Sequence, residues 1–285
     1  MSEFFRRIFS AVSAFLLSCS GVPASAEEPV AAGEMSFLAI NVEKADALML
    51  RCGEYAYLID TGTKDSFDKL HSVLLKNGIT RLNGVILTHT HSDHTGGLKK
   101  LLKSDIAVNQ VYASAFYNKD EEGSHPAVKA LKNTDREVVW LSAGDELPFG
   151  DGVLRVIGPI EKNEEAENCN SLVLYASAGG GTLLLTGDME FPEEQSLLSS
   201  GLIPRADVIK IGNHGEDDAT SAELIITVSP SVAVISTNSQ KEPDTPSRRV
   251  MELLRRQNVE VLQTQDTDNG VLLIFRNGEI ITELQ

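Results

Sequence analysis

His89-Thr90-His91-Ser92-Asp93-His94 places three imidazoles and a carboxylate within six residues, directly after the apolar run Gly84-Val85-Ile86-Leu87. The chain has six histidines in 285 residues, so half of them stand in this one segment. Neutral imidazole nitrogen and carboxylate oxygen are the donors that a borderline divalent ion such as zinc accepts. Positions 89, 91 and 93 can converge from a tight loop, while the adjacent Asp93 and His94 can point different ways. The alternative is a polar surface turn that happens to hold histidines, and the downstream sequence argues against it. Leu183-Leu184-Leu185-Thr186-Gly187-Asp188 is an apolar run ending on an aspartate, and Val208-Ile209-Lys210-Ile211-Gly212-Asn213-His214-Gly215 is one ending on a histidine. Tyr57-Leu58-Ile59-Asp60-Thr61-Gly62 has a similar acidic end. Taken singly, an aspartate beside glycine is more often a turn former, and a lone histidine more often a cap. Taken with 89–94, these tips form a candidate metal site carried on a rigid scaffold.

Strands must end at these tips. Residues 37–42, 47–51 and 55–59 read as three strands with tight connections, and 85–87 as a buried strand running into the histidines. Residues 66–76 read as an amphipathic helix with Phe67, Leu70, Val73 and Leu74 on one face and Asn77-Gly78 as its stop. Gly96-Gly97 opens a further helix through Leu102. More strands are expected at 108–112, 137–141, 153–157, 171–176, 182–186, 207–211, 232–236, 259–263 and 271–276. Helices are expected at 126–132, 192–199, 220–227 and 246–257. Strands and helices alternate throughout, which suggests an α/β fold of two sheets packed face to face with helices outside.

The ends and the bulk composition bound the setting. Residues 1–26 read as a signal peptide: Arg6 and Arg7, an apolar stretch over 8–17 too short to span a bilayer comfortably, then Ala24-Ser25-Ala26 before Glu27. Leu16-Leu17-Ser18-Cys19 also resembles a lipobox, which would make the protein a lipoprotein through Cys19. Either route predicts export, to a secreted or cell-envelope location. Residues 27–35 read as a linker and 36–285 as one domain, with no membrane helix after the leader. Cys52 and Cys169 remain after cleavage, and export permits but does not require their pairing. The formal net charge of −16 argues against an extended basic groove for nucleic acid. Lys99, Lys100, Lys103 and Lys119 are the basic cluster nearest the motif and read as a solvated helix face.

The order Leu-Ile-Asp-Thr-Gly, Leu-Thr-His-x-His-x-Asp-His-x-Gly-Gly, Leu-Thr-Gly-Asp and a late Asn-His-Gly resembles the metallo-β-lactamase superfamily. More narrowly, it is similar to the extracellular domain of ComEC-type competence proteins. Glu167-Asn168-Cys169-Asn170-Ser171-Leu172-Val173-Leu174, Lys210 to Gly215 and Asn41 to Ala47 match segments of that family. The resemblance implies an αββα sandwich, two mixed β-sheets flanked by helices, with a two-metal site at one edge. His89 and His91 would hold the first ion, Asp93, His94 and His214 the second, and Asp188 would bridge them. Asp60 would orient ligands without binding metal. Three departures stand out. The superfamily's histidine about twenty residues before the bridging aspartate is missing here, and Asn168 is its substitute; His125 lies too far upstream to replace it. Asn213 stands for the first histidine of a His-His-Gly pair, and Thr245-Pro246 for a His-Pro pair.

The expected activity is a metal-dependent hydrolase acting through a metal-activated water, with Asp93 and His214 as catalytic candidates. Two divalent ions are the expected cofactor, zinc first and manganese as the alternative. A phosphoester or phosphodiester is the expected bond, in a small-molecule or cell-envelope substrate. A lactone or β-lactam hydrolase is one alternative. A non-catalytic secreted metal-binding or interaction protein on a degenerate scaffold is the other.

Overall fold

The computed structural model describes residues 33–118 and 122–285. The leader, Cys19, most of the linker and Lys119 lie outside the described residues.

An antiparallel meander opens the fold: β1 (Met35–Ile40), β2 (Leu48–Cys52) and β3 (Tyr55–Ile59), with Leu38 opposite Met49 and Leu50 opposite Tyr57. β1 starts at Met35, a residue the sequence leaves in the linker, and its side chain is fully buried. Helix α1 (Phe67–Lys76) leads through a two-residue strand β4 (Arg81–Leu82) to β5 (Gly84–Leu87), which pairs with β3 in parallel. After β5 come the single turns α2 (Ser92–Thr95) and α3 (Leu98–Leu101), then β6 (Ala107–Val108), which pairs with β4. Strands β7 (Val111–Ser114) and β8 (Val138–Leu141), joined through α4 (Pro126–Leu131), extend the parallel half.

A second sheet follows. β9 (Glu146–Leu147), β10 (Val153–Gly158), β11 (Val173–Ala178) and β12 (Gly181–Leu185) are antiparallel. α5 (Phe191–Ser199), α6 (Ala222–Val228) and α7 (Arg248–Arg256) then alternate with the parallel strands β13 (Val208–Lys210), β14 (Val232–Ile235) and β15 (Glu260–Gln263). The chain returns to the first sheet through β16 (Gly270–Arg276), which pairs with β1, and ends in β17 (Glu279–Leu284). The first sheet therefore runs β17-β16-β1-β2-β3-β5-β7-β8 and the second β15-β14-β13-β12-β11-β10-β9.

Side chains alternate across a strand, so an unbroken apolar strand serves two cores at once. On β12, Leu183 and Leu185 join the layer between the sheets with Phe37, Leu50 and Val234. Leu184, between them, joins Ile209, Leu197, Leu224 and Leu254 under the outer helices. On the other side Leu38 and Leu58 pack with Leu70, Val73, Leu74 and Leu101. The result is the expected αββα sandwich. Both Cys52 and Cys169 are buried free thiols. Among the described residues no helix is long and apolar enough to cross a membrane.

Candidate metal centre

The tips of β3, β5, β12 and β13 meet at one end of the sandwich. Asp60, in a left-handed conformation at the end of β3, accepts from the Thr88 N–H at 2.8 Å and the Thr88 hydroxyl at 2.7 Å, which joins the ends of β3 and β5. The chain beyond β5 winds into α2 instead of staying a loop, and this turn carries Asp93 and His94. Gly96-Gly97 then packs against the Thr61–Lys64 backbone. A Cβ on Gly97 would lie 2.3 Å from the Thr61 carbonyl oxygen, so no other residue fits without displacing it. The Thr61 N–H in turn donates to the His94 carbonyl at 2.6 Å. On the second sheet the Thr186 hydroxyl donates to the Lys210 carbonyl at 2.7 Å, joining the tips that carry Asp188 and His214.

These contacts bring six of the expected ligands together. His94 Nε2 lies 3.1 Å from Asp188 Oδ2 and 3.8 Å from Asp93 Oδ2. His214 Nε2 lies 3.5 Å from Asp93 Oδ2 and 3.7 Å from Asp188 Oδ2. One ligand atom from each of Asp93, His94, Asp188 and His214 falls within 4.8 Å of all the others. His89 Nε2 is 3.1 Å from His91 Nδ1 and 3.8 Å from Asp188 Oδ2. His89, His94, Asp188 and His214 are buried, Asp93 is half-buried and His91 is exposed.

The far nitrogens of three rings are anchored. His89 Nδ1 is 3.1 Å from the Thr88 hydroxyl oxygen. His94 Nδ1 is 2.7 Å from Asp60 Oδ2. His214 Nδ1 is 3.0 Å from the Ser236 carbonyl oxygen. A carbonyl only accepts, so His214 Nδ1 carries a proton, and Nε2 is the nitrogen whose lone pair can serve the site. That Nε2 and Asp188 Oδ1 are buried without a hydrogen-bond partner. Orphaned buried acceptors of this kind fit a divalent ion.

Charge points the same way. Burial opposes ionisation of Asp188, but His94 and His214 outweigh it and hold the carboxyl well below its usual range. Asp93 is pulled down to about 2; burial opposes this, and the nearby His214 and His94 rings prevail. Burial lowers His94, yet the Asp188 and Asp60 carboxylates overcome it and raise that ring well above its ordinary value. His214 is likewise raised against burial, by the Asp188 and Asp93 carboxylates. His89 goes the other way, lowered by burial and then by His94. An acidic, partly dehydrated site holding a proton on His94 is one that a divalent cation would occupy in its place.

The Asn168 amide Nδ2 donates to Glu190 Oε1 at 2.7 Å, and its Oδ1 is buried without a hydrogen-bond partner. His125 caps α4, accepting from the Ala127 N–H at 3.1 Å, and packs edge-on to Tyr117 and Trp140. Asn213, in a left-handed conformation that asparagine tolerates, donates to Asp218 at 3.0 Å. Pro246 packs over Gly215, and the Ser247 N–H donates to the Gly215 carbonyl at 2.8 Å. Lys99 and Lys103 are exposed, as a solvated face requires.

Two features went unread in the sequence. Lys210 Nζ lies 3.0 Å from Asp46 Oδ2, with both side chains fully buried. Asp46, Asp60 and His94 also form a close acidic group, but there the Lys210 ammonium already supplies the cation. The available signal was a lysine inside the apolar run 208–211. The other feature is Glu167, which binds Thr90.

The family model described as the metallo-beta-lactamase superfamily matches residues 41–239. The chain is 32% identical over 201 residues to ComE operon protein 3 of Bacillus subtilis, covering 70% of this chain and 25% of that protein. It is 27% identical over 253 residues to competence protein ComA of Neisseria gonorrhoeae, covering 87% of this chain and 34% of that one. The chain thus spans about a quarter to a third of the length of these curated relatives. Among solved structures, the metallo-beta-lactamase fold protein YhfI from Bacillus subtilis aligns at a TM-score of 0.55 with 14% identity, over 85% of this chain and 99% of that one.

Proposed function

The chain belongs to the metallo-beta-lactamase superfamily, and on that premise we propose that it hydrolyses phosphoester or phosphodiester bonds outside the cytoplasm. The observation that carries this reading is the position of Asp188. Its Oδ2 faces His94 at 3.1 Å, His214 at 3.7 Å and His89 at 3.8 Å. One carboxylate thus addresses imidazoles of both halves, which supports the reading of a shared ligand. A pair of divalent ions, when bound, supplies Lewis acidity, brings the pKa of a water down to about 7 and clamps the attacking and leaving oxygens of a phosphoryl transfer.

In this reading His89 and His91 hold one ion, with Asn168 a weak oxygen donor, and Asp93, His94 and His214 hold the other. Zinc suits the imidazoles, and manganese suits a half-site completed by oxygen. Asp60 orients His94 through Nδ1. Asp93, ionised at any physiological pH, orients the attacking water by accepting its hydrogen bond and does not store its proton. His214 is committed at Nδ1 to Ser236, so it serves as a ligand and not as a mobile acid. The formal net charge of −16 favours a small or cell-envelope phosphoester over a long nucleic acid.

The test is a substrate screen of the metal-loaded chain. Cleavage of bis-p-nitrophenyl phosphate that rises with zinc or manganese and is lost in Asp188→Ala is the expected result. Turnover of nitrocefin or a lactone without phosphodiester cleavage would overturn the reading. Mass spectrometry of the expressed protein tests export: an N-terminus at Glu27, or a lipidated Cys19, supports it, and an intact N-terminus on protein retained in the cytoplasm counts against it.

A further inference from the structure

Only Thr90 separates His89 from His91, and both of its polar groups end on a single atom. The Thr90 N–H and hydroxyl donate to Glu167 Oε1 at 3.1 and 2.5 Å. The other oxygen, Oε2, accepts from the Asn118 N–H at 2.6 Å. Glu167 opens the helical turn Glu167–Asn170, and the residues just after that turn hold the centre from two more sides. The Leu172 N–H donates to the Thr88 carbonyl at 2.9 Å. The Asp188 N–H donates to Ser171 Oγ at 3.2 Å. Segment 167–172 therefore grips the backbone on both sides of His89 as well as that of Asp188.

We propose that Glu167 is a positioning residue for the first half of the metal centre, fixing Thr90 so that His89 and His91 are held at chelating distance. The proposal rests on the two-ion reading above. A half-site with two imidazoles has no third ring to select the ring positions, so those positions must be set beforehand. Binding the amide and hydroxyl of Thr90 to one oxygen restrains both its backbone and its χ1. The outcome is measurable: His89 Nε2 and His91 Nδ1 stand 3.1 Å apart. Two nitrogens on one tetrahedral zinc with bonds of 2.0–2.1 Å are separated by about 3.3 Å. Glu167 lies in the segment where the superfamily's histidine is missing. It contributes a clamp on the ligand loop, not a donor to the ion.

The experiment is a cobalt(II) titration of the metal-free full chain, followed by visible absorption and calorimetry. Wild type, Glu167→Ala, Glu167→Gln and His91→Ala are compared, the last to identify which class of site belongs to the first half. Glu167→Ala should weaken the first-half class by about 10- to 100-fold and leave the second within about threefold. Glu167→Gln retains an oxygen for Thr90 but presents an N–H to Asn118, so it should lose less. If the alanine variant does not fold, the glutamine variant carries the same comparison. Equal weakening of both classes would mark Glu167 as merely structural and overturn the proposal, and so would no weakening. A wild type that binds a single equivalent defeats the two-ion reading itself, and that result is visible before any substitution is made.

Discussion

The two halves of the candidate metal centre are built on different plans. Asp93, His94, Asp188 and His214 come from three separate strand tips, and three of the four are buried. The far nitrogen of each ring in that half is tied to the protein, to Asp60 or to the Ser236 carbonyl. His89 and His91 come from one loop, and His91 is exposed. Among the described residues no third imidazole completes this half, and the Asn168 amide nitrogen is bound to Glu190. The comparison teaches that a half-site assembled from distant segments is held by buried charge, whereas one carried on a single loop needs only that the loop be clamped.

The largest break in this contrast should come from the buried pair behind the second half. Lys210→Met leaves the Asp46 carboxylate buried and unpaired, and should cost about 3–5 kcal/mol in denaturant unfolding. Adding Asp46→Leu should recover most of that, because an apolar pair replaces a desolvated ionic one. A loss below about 1 kcal/mol for Lys210→Met would mean that buried charge does not hold this half. Next in size, Asp60→Asn should weaken second-half metal affinity by about 10- to 100-fold by loosening His94. Calorimetry should show a smaller loss in the first half, which Asp60 reaches only through Thr88.

The pH response separates the halves again. His94 is raised well above its ordinary value, so the metal-free site is protonated near neutrality and must release that proton to an ion. His214 is raised as well, so second-half affinity should climb by at least about tenfold per pH unit until the raised values are passed. His89 is lowered well below its ordinary value, so that ring has no such proton to lose. First-half affinity should therefore rise less steeply over the same range. The sign for metal-free stability follows from the same shift. A folded value above the unfolded one stabilises the protein fully below about pH 6.5, and that stabilisation is lost as pH rises through the folded value. Thermal melts of metal-free protein at rising pH should show this decline. The smallest expected effect is that of Asn168→Ala, a change of less than about threefold in first-half affinity, since an amide oxygen is a poor zinc ligand.

Much of the fold was legible because the central strands are apolar on both faces. Runs such as 183–185 and 208–211 announce themselves without any partner in view. β17 leaves no such run, for the opposite reason: Glu279, Thr282 and Glu283 lie exposed on a sheet edge, where nothing selects an apolar pattern. α2 leaves no helical signal, because four residues are too few to show a period.

The sequence alone determined the donor types, their grouping at 89–94 and their recurrence at strand ends, since ligand chemistry and strand burial are both local. Tertiary structure alone decided how those donors are held. Lys210 reaches Asp46 across 164 residues, and Glu167 reaches Thr90 across 77. Neither contact leaves a period or a spacing to read, because each is made by two strand tips or loops that only the packed sandwich brings together.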